Sequence, residues 1–157
     1  MAKWKIRKEI EIEWEDEFDS AHFLFFDYES KCRRLHGHNW NVKVVIRGFV
    51  NRNGVVFDFN HLKEIVKEFD HRTFIPKRAI KEITGDGWLV AETSHGEMLK
   101  LRRANVVIIP YDNVTSEFLA QYWVERIIEK DEGNLTYVKV CIEEDPRSKA
   151  CVEAIKE

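Results

Sequence analysis

The N-terminal segment alternates between apolar and charged side chains. Residues of one parity are mostly apolar, and those of the other parity are Lys, Arg or Glu; the apolar set is Ile6, Ile10, Ile12, Trp14 and Phe18. Successive side chains of a β-strand point to opposite faces, so this pattern predicts one long strand with one face in water. The apolar parity continues to Ser20 and His22. The first predicted strand therefore ends with a histidine on its apolar face.

A second strand and a helix are predicted next. The strand covers about His36 to Val50, and the turn NRNG at residues 51–54 leads into a short strand, VVFDF. Asn60 is the predicted N-cap of a helix. Apolar residues recur in that helix at helical spacing, at Leu62, Ile65, Val66 and Phe69.

The second half of the chain predicts another helix and two more strands. Between residues 76 and 110, GWLVAETSHGEMLKLR predicts a hairpin turning near Ser94–Gly96, and NVVIIP predicts a strand. A helix begins near Thr115 and Ser116. YVKVCIEE then alternates so that Glu144 shares a face with Val140 and Ile142, and KACVEAIKE adds a last strand. Helices grouped between antiparallel strand pairs indicate an α+β fold.

Composition restricts the class of protein. The chain has 157 residues, 44% hydrophobic and 34% charged, which fits a single domain spanning residues 1–157. No apolar run approaches the roughly 20 residues of a membrane span, and the charged N-terminus has no apolar signal core, so we expect a cytoplasmic protein. A net charge of -3 with interspersed signs predicts no nucleic-acid partner. With an odd cysteine count in a reducing compartment, we expect no disulfide, and Cys141 and Cys151 to act in packing.

The segment KCRRLHGHNWNVKVVI carries the strongest chemical signal. His36 and His38 are two residues apart in a predicted strand, so their side chains point the same way. Converging imidazoles about 2 Å from an ion can hold zinc, and His22 is the best-placed third ligand. Three protein ligands leave one coordination position open, as in catalytic zinc sites. An isolated His-x-His is more often an ordinary strand pair, but His22 and a nearby thiol favour a metal site.

A thiol and an acid–histidine pair are the other candidates for chemistry. Cys32 lies among Lys31, Arg33 and Arg34, whose positive charges favour a thiolate that can act as base or nucleophile. Asp70 precedes His71, and a carboxylate beside an imidazole can fix its tautomer, although a polar helix end also explains this pair. His61 and His95 are expected to be ordinary surface residues.

Six segments, in this order, resemble those of a known family: FDSAHFL, KCRRLHGHNW, VVFDFNHLK, FDHRTF, VTSEFLA and VKVCIEE. Together they span about residues 10–151 and are similar to the 6-pyruvoyltetrahydropterin synthase / 6-carboxytetrahydropterin synthase family. The most specific element is Cys-x-x-x-His-Gly-His, with an upstream Ala-His and a downstream Asp-His.

The resemblance implies roles for individual residues. The implied zinc ligands are His22, His36 and His38. Cys32 corresponds to the catalytic thiol, and its implied acid/base partners are Asp70 and His71. Glu144 corresponds to the carboxylate that holds the pterin ring, with Glu143 as an open alternative. A turn that also contacts the pterin corresponds to Thr115, Ser116 and Glu117.

The resemblance also implies a fold and an assembly. The expected fold is the tunnelling fold, an antiparallel sheet with two helices on one face. Its trimers close a barrel, and two trimers stack into a homohexamer with active sites between subunits. Two departures stand out. The family's Pro-Thr-x-Glu-Asn turn is VTSEF here, and residues 76–110 exceed the usual link between the helices, which predicts an inserted hairpin.

The implied reaction is zinc-dependent conversion of 7,8-dihydroneopterin triphosphate to 6-carboxy-5,6,7,8-tetrahydropterin, with release of acetaldehyde and triphosphate. The three-residue spacer in CRRLHGH favours this carboxy branch, which supplies queuosine and archaeosine precursors. The alternative is a 6-pyruvoyltetrahydropterin synthase or another pterin side-chain lyase acting on the same substrate.

Overall fold

Nine strands and two α-helices follow one another in the computed structural model, which describes residues 1–157. The strands are β1 (Ile10–His22), β2 (His36–Gly48), β3 (Arg72–Pro76), β4 (Ile80–Ile83), β5 (Trp88–Glu92), β6 (Met98–Arg102), β7 (Val106–Ile109), β8 (Leu135–Asp145) and β9 (Ser148–Ile155). The helices are α1 (Asn60–Phe69) and α2 (Ser116–Ile128). Neither helix combines the length and apolar character needed to cross a membrane.

Six strands form the main sheet, in the order β7-β3-β1-β2-β8-β9. β1, β2, β8 and β9 pair antiparallel, whereas β3 is parallel to both β1 and β7. The expected α+β class with two helices is confirmed. β7 is the strand predicted from NVVIIP, whereas β3 was not predicted, and the parallel pairing of β3 departs from the expected antiparallel sheet. Parallel neighbours require a crossover connection, which residues 77–105 supply between β3 and β7.

The alternation of β1 decides which face of this sheet is covered. Phe18 lies opposite Trp40 in the β1–β2 register, and both are buried at 2% and 0% exposure. Both helices cover this face, since their apolar residues join the same cluster; they include Leu62, Ile65, Phe69, Leu119, Trp123 and Ile127. Each fully buried side chain of this size contributes about 1.5–3 kcal/mol of transfer free energy. The opposite face carries the charged parity of β1.

The two helix starts differ from each other. Thr115 is the N-cap of α2, and its hydroxyl accepts a hydrogen bond from the Phe118 N–H at 3.2 Å. The prediction for α2 is therefore confirmed. In α1 the N-cap position is occupied by Phe59, and Asn60 is already helical. The Asp58 carboxylate, which accepts from the Asn60 N–H at 2.9 Å, takes the part expected of Asn60.

Two further predictions about local structure are wrong. VVFDF forms no strand; Val56 and Phe57 enter the core from an irregular segment, since the Val56 carbonyl accepts from the Asn134 side chain at 2.9 Å instead of from a neighbouring strand. Cys141 and Cys151 form a disulfide. They are directly opposite in the β8–β9 register, with Cα atoms 4.0 Å apart, on the face opposite to the core. The prediction of no disulfide rested on the odd cysteine count and an expected reducing compartment, and neither shows that these two cysteines lie opposite each other in neighbouring strands.

A second, smaller sheet occupies the crossover between β3 and β7. It has the order β4-β5-β6 and covers Ile80–Arg102, and we refer to it as the side sheet. The predicted hairpin is present as β5 and β6, whereas β4 was not predicted. The side sheet packs on a separate apolar cluster that includes Phe23, just after β1.

Candidate metal and substrate site

Three histidines converge where β1 ends and β2 begins. His22 lies directly opposite His36, and Ser20 lies opposite His38, so strand register places all three imidazoles on the covered face. Their ring centroids are 4.6, 5.1 and 4.9 Å apart, pair by pair. One nitrogen of each ring lies within 4.8 Å of one nitrogen of each of the others. The structure therefore brings together the three residues predicted as metal ligands.

Backbone carbonyls fix the tautomers of two of these rings. His22 Nδ1 is 2.8 Å from the Val114 carbonyl, and His36 Nδ1 is 2.6 Å from the Arg34 carbonyl. A carbonyl only accepts, so each Nδ1 carries the proton and each Nε2 keeps its lone pair. The Nε2 atoms of His22, His36 and His38 are all buried without a hydrogen-bond partner. Three buried, unpartnered Nε2 atoms that lie this close together could hold a metal ion.

Burial favours the neutral form of two of these imidazoles, those of His22 and His38. It lowers the pKa of His22 to about 3, against the opposing hydrogen bond to Val114, and the charges of His36 and His38 lower it further. Burial also lowers the pKa of His38, with the charge of His36 as the next cause. Metal ligation requires a neutral imidazole, and the lowered pKa values favour this form for His22 and His38.

Glu144 brings a carboxylate to the same place. Its Oε1 lies 3.4 Å from His22 Nε2 and 3.6 Å from His38 Nε2, and neither contact has the geometry of a hydrogen bond. Burial raises the pKa of Glu144, the charge of His36 opposes this, and the negative charges of Asp145 and Glu117 add to it. Glu143 pairs with Asn41 in the β2–β8 register and so faces the other side of the sheet. The structure therefore places Glu144, and not Glu143, beside the three histidines.

The turn before α2 is attached directly to this cluster. Val114, whose carbonyl accepts from His22, is buried and immediately precedes Thr115 and Ser116. The negative charge of Glu117 is one of the smaller causes of the raised pKa of Glu144. The turn predicted to contact the pterin, Thr115 to Glu117, is thus joined to the histidine cluster by the hydrogen bond between His22 and Val114, although its sequence departs from the family pattern.

Cys32 lies in a short 3-10 turn at Lys31–Arg33, outside the cluster of three histidines. Its thiol is free and half-buried. The backbone holds it in two ways: the Cys32 N–H donates to the Ser30 hydroxyl at 3.1 Å, and its carbonyl accepts from the Leu24 N–H at 2.9 Å. The turn places Cys32 four residues before His36.

Asp70 and His71 form a separate group at another edge of β1. The Asp70 carboxylate accepts from the Asp19 N–H at 2.9 Å and lies 3.0 Å from His71 Nδ1. The hydrogen bond from Asp19 is the main cause of a lowered pKa for Asp70. The Asp19 carboxylate joins this group from the face of the sheet opposite to His22. Within a single chain, Asp70 and His71 therefore group with Asp19 and not with Cys32.

His71 has an uncommon backbone conformation. Its φ is 59°, in the left-handed region that non-glycine residues enter at a cost of about 1–2 kcal/mol. The His71 N–H donates to the Asp19 carbonyl at 2.7 Å, which holds this conformation, while 75% of the side chain is exposed. Such local strain at an exposed polar residue is a common property of functional positions.

The side sheet contributes residues that sequence reasoning did not select. Ser94 bonds to Arg33 beside the thiol, and His95 lines a cavity of about 420 Å³ with Glu29, Ser30, Lys31, Arg33 and Arg34. His95 had been predicted to be an ordinary surface residue. No spacing in the sequence links residues 94 and 95 to Cys32, because the contact depends on the docking of two distant segments.

Comparison with known proteins identifies the family of this chain. The sequence profile of 6-pyruvoyl tetrahydropterin synthase matches residues 11–154. A Pyrococcus horikoshii protein with the provisional name 6-carboxy-5,6,7,8-tetrahydropterin synthase is 50% identical over 139 residues, which is 88% of this chain and 87% of that protein. A Pyrococcus abyssi protein with the same provisional name is 45% identical over 139 residues, with the same shares covered.

A solved structure extends the comparison to three dimensions. The crystal structure of 6-pyruvoyl tetrahydropterin synthase from Plasmodium vivax superposes with a TM-score of 0.76 at 27% identity, covering 96% of this chain and 100% of that chain. The matched residues, 11–154, include the three histidines, Cys32 and Glu144. The chain therefore belongs to the 6-pyruvoyl tetrahydropterin synthase family.

Proposed function

We propose that the protein is a zinc-dependent lyase that converts 7,8-dihydroneopterin triphosphate to 6-carboxy-5,6,7,8-tetrahydropterin, releasing acetaldehyde and triphosphate. The observation that carries this proposal is the convergence of three unpartnered Nε2 atoms with the Glu144 carboxylate at 3.4 and 3.6 Å. The names of the two Pyrococcus relatives support the carboxy branch. The product would enter 7-deazaguanine synthesis.

The metal would be held by His22, His36 and His38 through Nε2. Zinc suits three imidazoles with an open position, and when bound it would supply Lewis-acid polarisation of the substrate's side-chain hydroxyls. The carbonyls of Val114 and Arg34 orient two of the rings and increase their basicity as ligands.

The pterin ring would be held by Glu144 together with the turn at Thr115, Ser116 and Glu117. A pterin presents amide and amino hydrogens along one edge, and a carboxylate can accept two such hydrogen bonds. Because Glu144 lies beside the Nε2 atoms, a ring bound there would place its side chain next to the metal. Burial of Glu144 strengthens these hydrogen bonds by reducing competition from water.

The phosphates would bind at the basic cavity near Cys32. Lys31, Arg33 and Arg34 line this cavity of about 420 Å³, and His95 closes it from the side sheet. Arg33 is 15% exposed and is held by neighbouring groups, so its guanidinium is already oriented.

Proton transfer would need a second copy of the chain. Cys32 would remove or return a proton at the substrate side chain, with His71 and Asp70 as its acid/base partners. Asp70 and His71 lie with Asp19, away from Cys32 in the same chain. We propose that a neighbouring subunit supplies them in a homo-oligomer, with the family's hexamer of two trimers as the expected assembly.

Product analysis tests the reaction. Zinc-loaded protein is incubated with 7,8-dihydroneopterin triphosphate, and the pterins are identified by mass spectrometry while acetaldehyde is trapped. A 6-carboxytetrahydropterin mass together with acetaldehyde is the expected result. A 6-pyruvoyl product or another shortened side chain, without acetaldehyde, would refute the carboxy branch while leaving the site assignment in place. Complete absence of turnover in metal-loaded protein would refute the catalytic proposal.

A further inference from the structure

The side sheet is packed against the loop that carries the thiol. We call residues 23–35, between β1 and β2, the thiol loop. Phe23, at its start, is fully buried with Leu89 and Ala91 of the side sheet, and Phe25 packs against the same cluster. The position of the thiol loop is therefore coupled to a sheet that is more than 40 residues away in sequence.

The turn between β5 and β6 is well ordered at the point where it meets this loop. Thr93 is 4% exposed, and its backbone N–H donates to the Glu97 carbonyl at 2.9 Å. Its hydroxyl accepts from the Glu97 N–H at 3.0 Å, and Gly96 takes a positive φ of 88° that closes the turn. The next residue, Ser94, is thus presented from a fixed backbone.

Ser94 contacts two residues of the thiol loop. The Arg33 guanidinium donates to it twice, from Nε to the hydroxyl at 3.0 Å and from Nη2 to the backbone carbonyl at 3.2 Å. The Ser94 hydroxyl in turn donates to the Leu24 carbonyl at 3.4 Å. The Ser94 hydroxyl therefore accepts a hydrogen bond from Arg33, near the end of the thiol loop, and donates one to Leu24, near its start.

Cys32 lies between these two contacts. Arg33 is its neighbour in sequence, and the Leu24 N–H donates to the Cys32 carbonyl at 2.9 Å. We infer that Ser94 is a positioning residue that holds the Cys32 thiol in place through Arg33 and Leu24, without touching the thiol. This inference rests on the proposed role of Cys32 in the reaction.

Packing alone cannot fix the thiol. The Lys31–Arg33 turn contains no buried residue, and short 3-10 turns have weaker hydrogen-bond geometry than α-helices. Polar contacts at its ends therefore determine how often the turn opens. A displacement of about 1 Å at a reacting group can reduce the rate about 100-fold, so a contact outside the chemistry can still control turnover.

Three variants test Ser94. Ser94→Ala removes both hydroxyl bonds, Ser94→Thr retains a hydroxyl, and Thr84→Ala removes the hydroxyl that accepts from the Trp88 N–H at 2.9 Å in the other turn of the side sheet. For each zinc-loaded protein, kcat and KM are measured, together with the rate of Cys32 alkylation by iodoacetamide. In Ser94→Ala we expect kcat to fall about tenfold, and KM to rise by a smaller factor because Ser94 also orients the Arg33 guanidinium. Alkylation should rise about threefold or more, because the turn opens more often.

The controls separate positioning from loss of structure. Ser94→Thr is expected to behave as wild type, and Thr84→Ala to lower thermal stability while leaving kcat and alkylation unchanged. Wild-type values in Ser94→Ala, or the same change in Thr84→Ala, would overturn the inference, as would failure of Ser94→Thr to rescue. If Ser94→Ala does not fold, Arg33→Lys probes the same contact from the other side, and unchanged alkylation there would also refute it.

The alkylation readout is independent of turnover. If the wild-type protein fails to convert the triphosphate, the proposed function fails, while the alkylation series still decides whether Ser94 holds the Cys32 turn.

Discussion

Two backbone carbonyls decide which nitrogen of each neighbouring imidazole is free. The Val114 and Arg34 carbonyls accept hydrogen bonds from the Nδ1 atoms of His22 and His36. The Nε2 atoms of both rings are left buried without a partner. The period-2 alternation of β1 and β2 predicts the shared face of the histidines. It does not predict the carbonyl partners, because Val114 belongs to a segment 92 residues from His22.

Metal binding should depend on each of the three rings. We expect His38→Ala to reduce bound zinc from about one ion per chain to a small fraction, because two imidazoles do not complete a tetrahedral site. The measurement is elemental analysis after dialysis against a weak chelator. His61→Ala, in a histidine outside the cluster, is the matched control and should keep its metal. Stoichiometric zinc in His38→Ala would remove His38 from the ligand set.

Acid stability should depend on Asp131. Burial of Asp131 raises its carboxyl pKa, but Lys156 and the N–H groups of Leu135 and Gly133 outweigh this and bring the pKa below its ordinary value of 3.8. The resulting stabilisation is complete above the unfolded-state pKa and is lost as the pH falls through the lower folded-state pKa. Asp131→Asn should therefore cost about 1–2 kcal/mol of unfolding free energy at pH 7.

Denaturant titrations at several pH values check this expectation. The difference between wild type and Asp131→Asn should shrink as the pH is lowered below about 4, where the carboxyl begins to protonate. A difference that stays constant down to pH 2 would show that the charge of Asp131 is not its source.

At the scale of elements, length makes a strand easier to predict but does not decide it, since β5 and β6, with 5 residues each, and β7, with 4, are predicted as well. β1, β2 and β8, with 13, 13 and 11 residues, have enough positions for the alternation to be recognised. β3, with 5 residues, and β4, with 4, do not. β3 is also parallel to its neighbours, so no adjacent turn marks its pairing. VVFDF shows the converse error, since an apolar run can enter a core without forming a strand.

A disulfide cross-links β8 and β9, because the strand register places Cys141 directly opposite Cys151. We expect Cys141→Ser with Cys151→Ser to lower the unfolding free energy of the oxidised protein by about 2–3 kcal/mol, the chain-entropy value for a short closed loop. Thermal unfolding with and without reductant measures the effect. Reductant should lower the midpoint of wild type toward that of the double variant and leave the variant unchanged. Equal midpoints for oxidised wild type and the variant would contradict this expectation.

At the scale of the whole molecule, the candidate catalytic groups fall into two separate places. The three histidines and Glu144 share one face, whereas Asp70 and His71 gather with Asp19 at another edge. The resemblance to the family identified both groups from sequence. Only the structure shows that they are apart within one chain, because strand parity alone does not say where the end of α1 lies relative to β1.

Complementation tests the shared site. Cys32→Ala and His71→Ala should each keep zinc and each lose most turnover, since each lacks one proton-transfer group. When the two are unfolded together and refolded as a mixture, a site can draw an intact Cys32 from one chain and an intact His71 from another. Random assembly should then restore about one quarter of wild-type activity. Recovery absent despite correct assembly would place the complete site within one chain.

The backbone of His71 has a consequence for how this chain can vary. At φ 59° a glycine or asparagine would meet less resistance than an imidazole does. Natural or laboratory selection for stability alone would thus favour replacing His71, and would discard the group that the proposed chemistry uses. A sequence drifting under that pressure would keep its sheet, its helices and its three inward-facing histidines. Its fold would then not distinguish it from an active relative, and the identity of residue 71, just after α1, would be the feature that does.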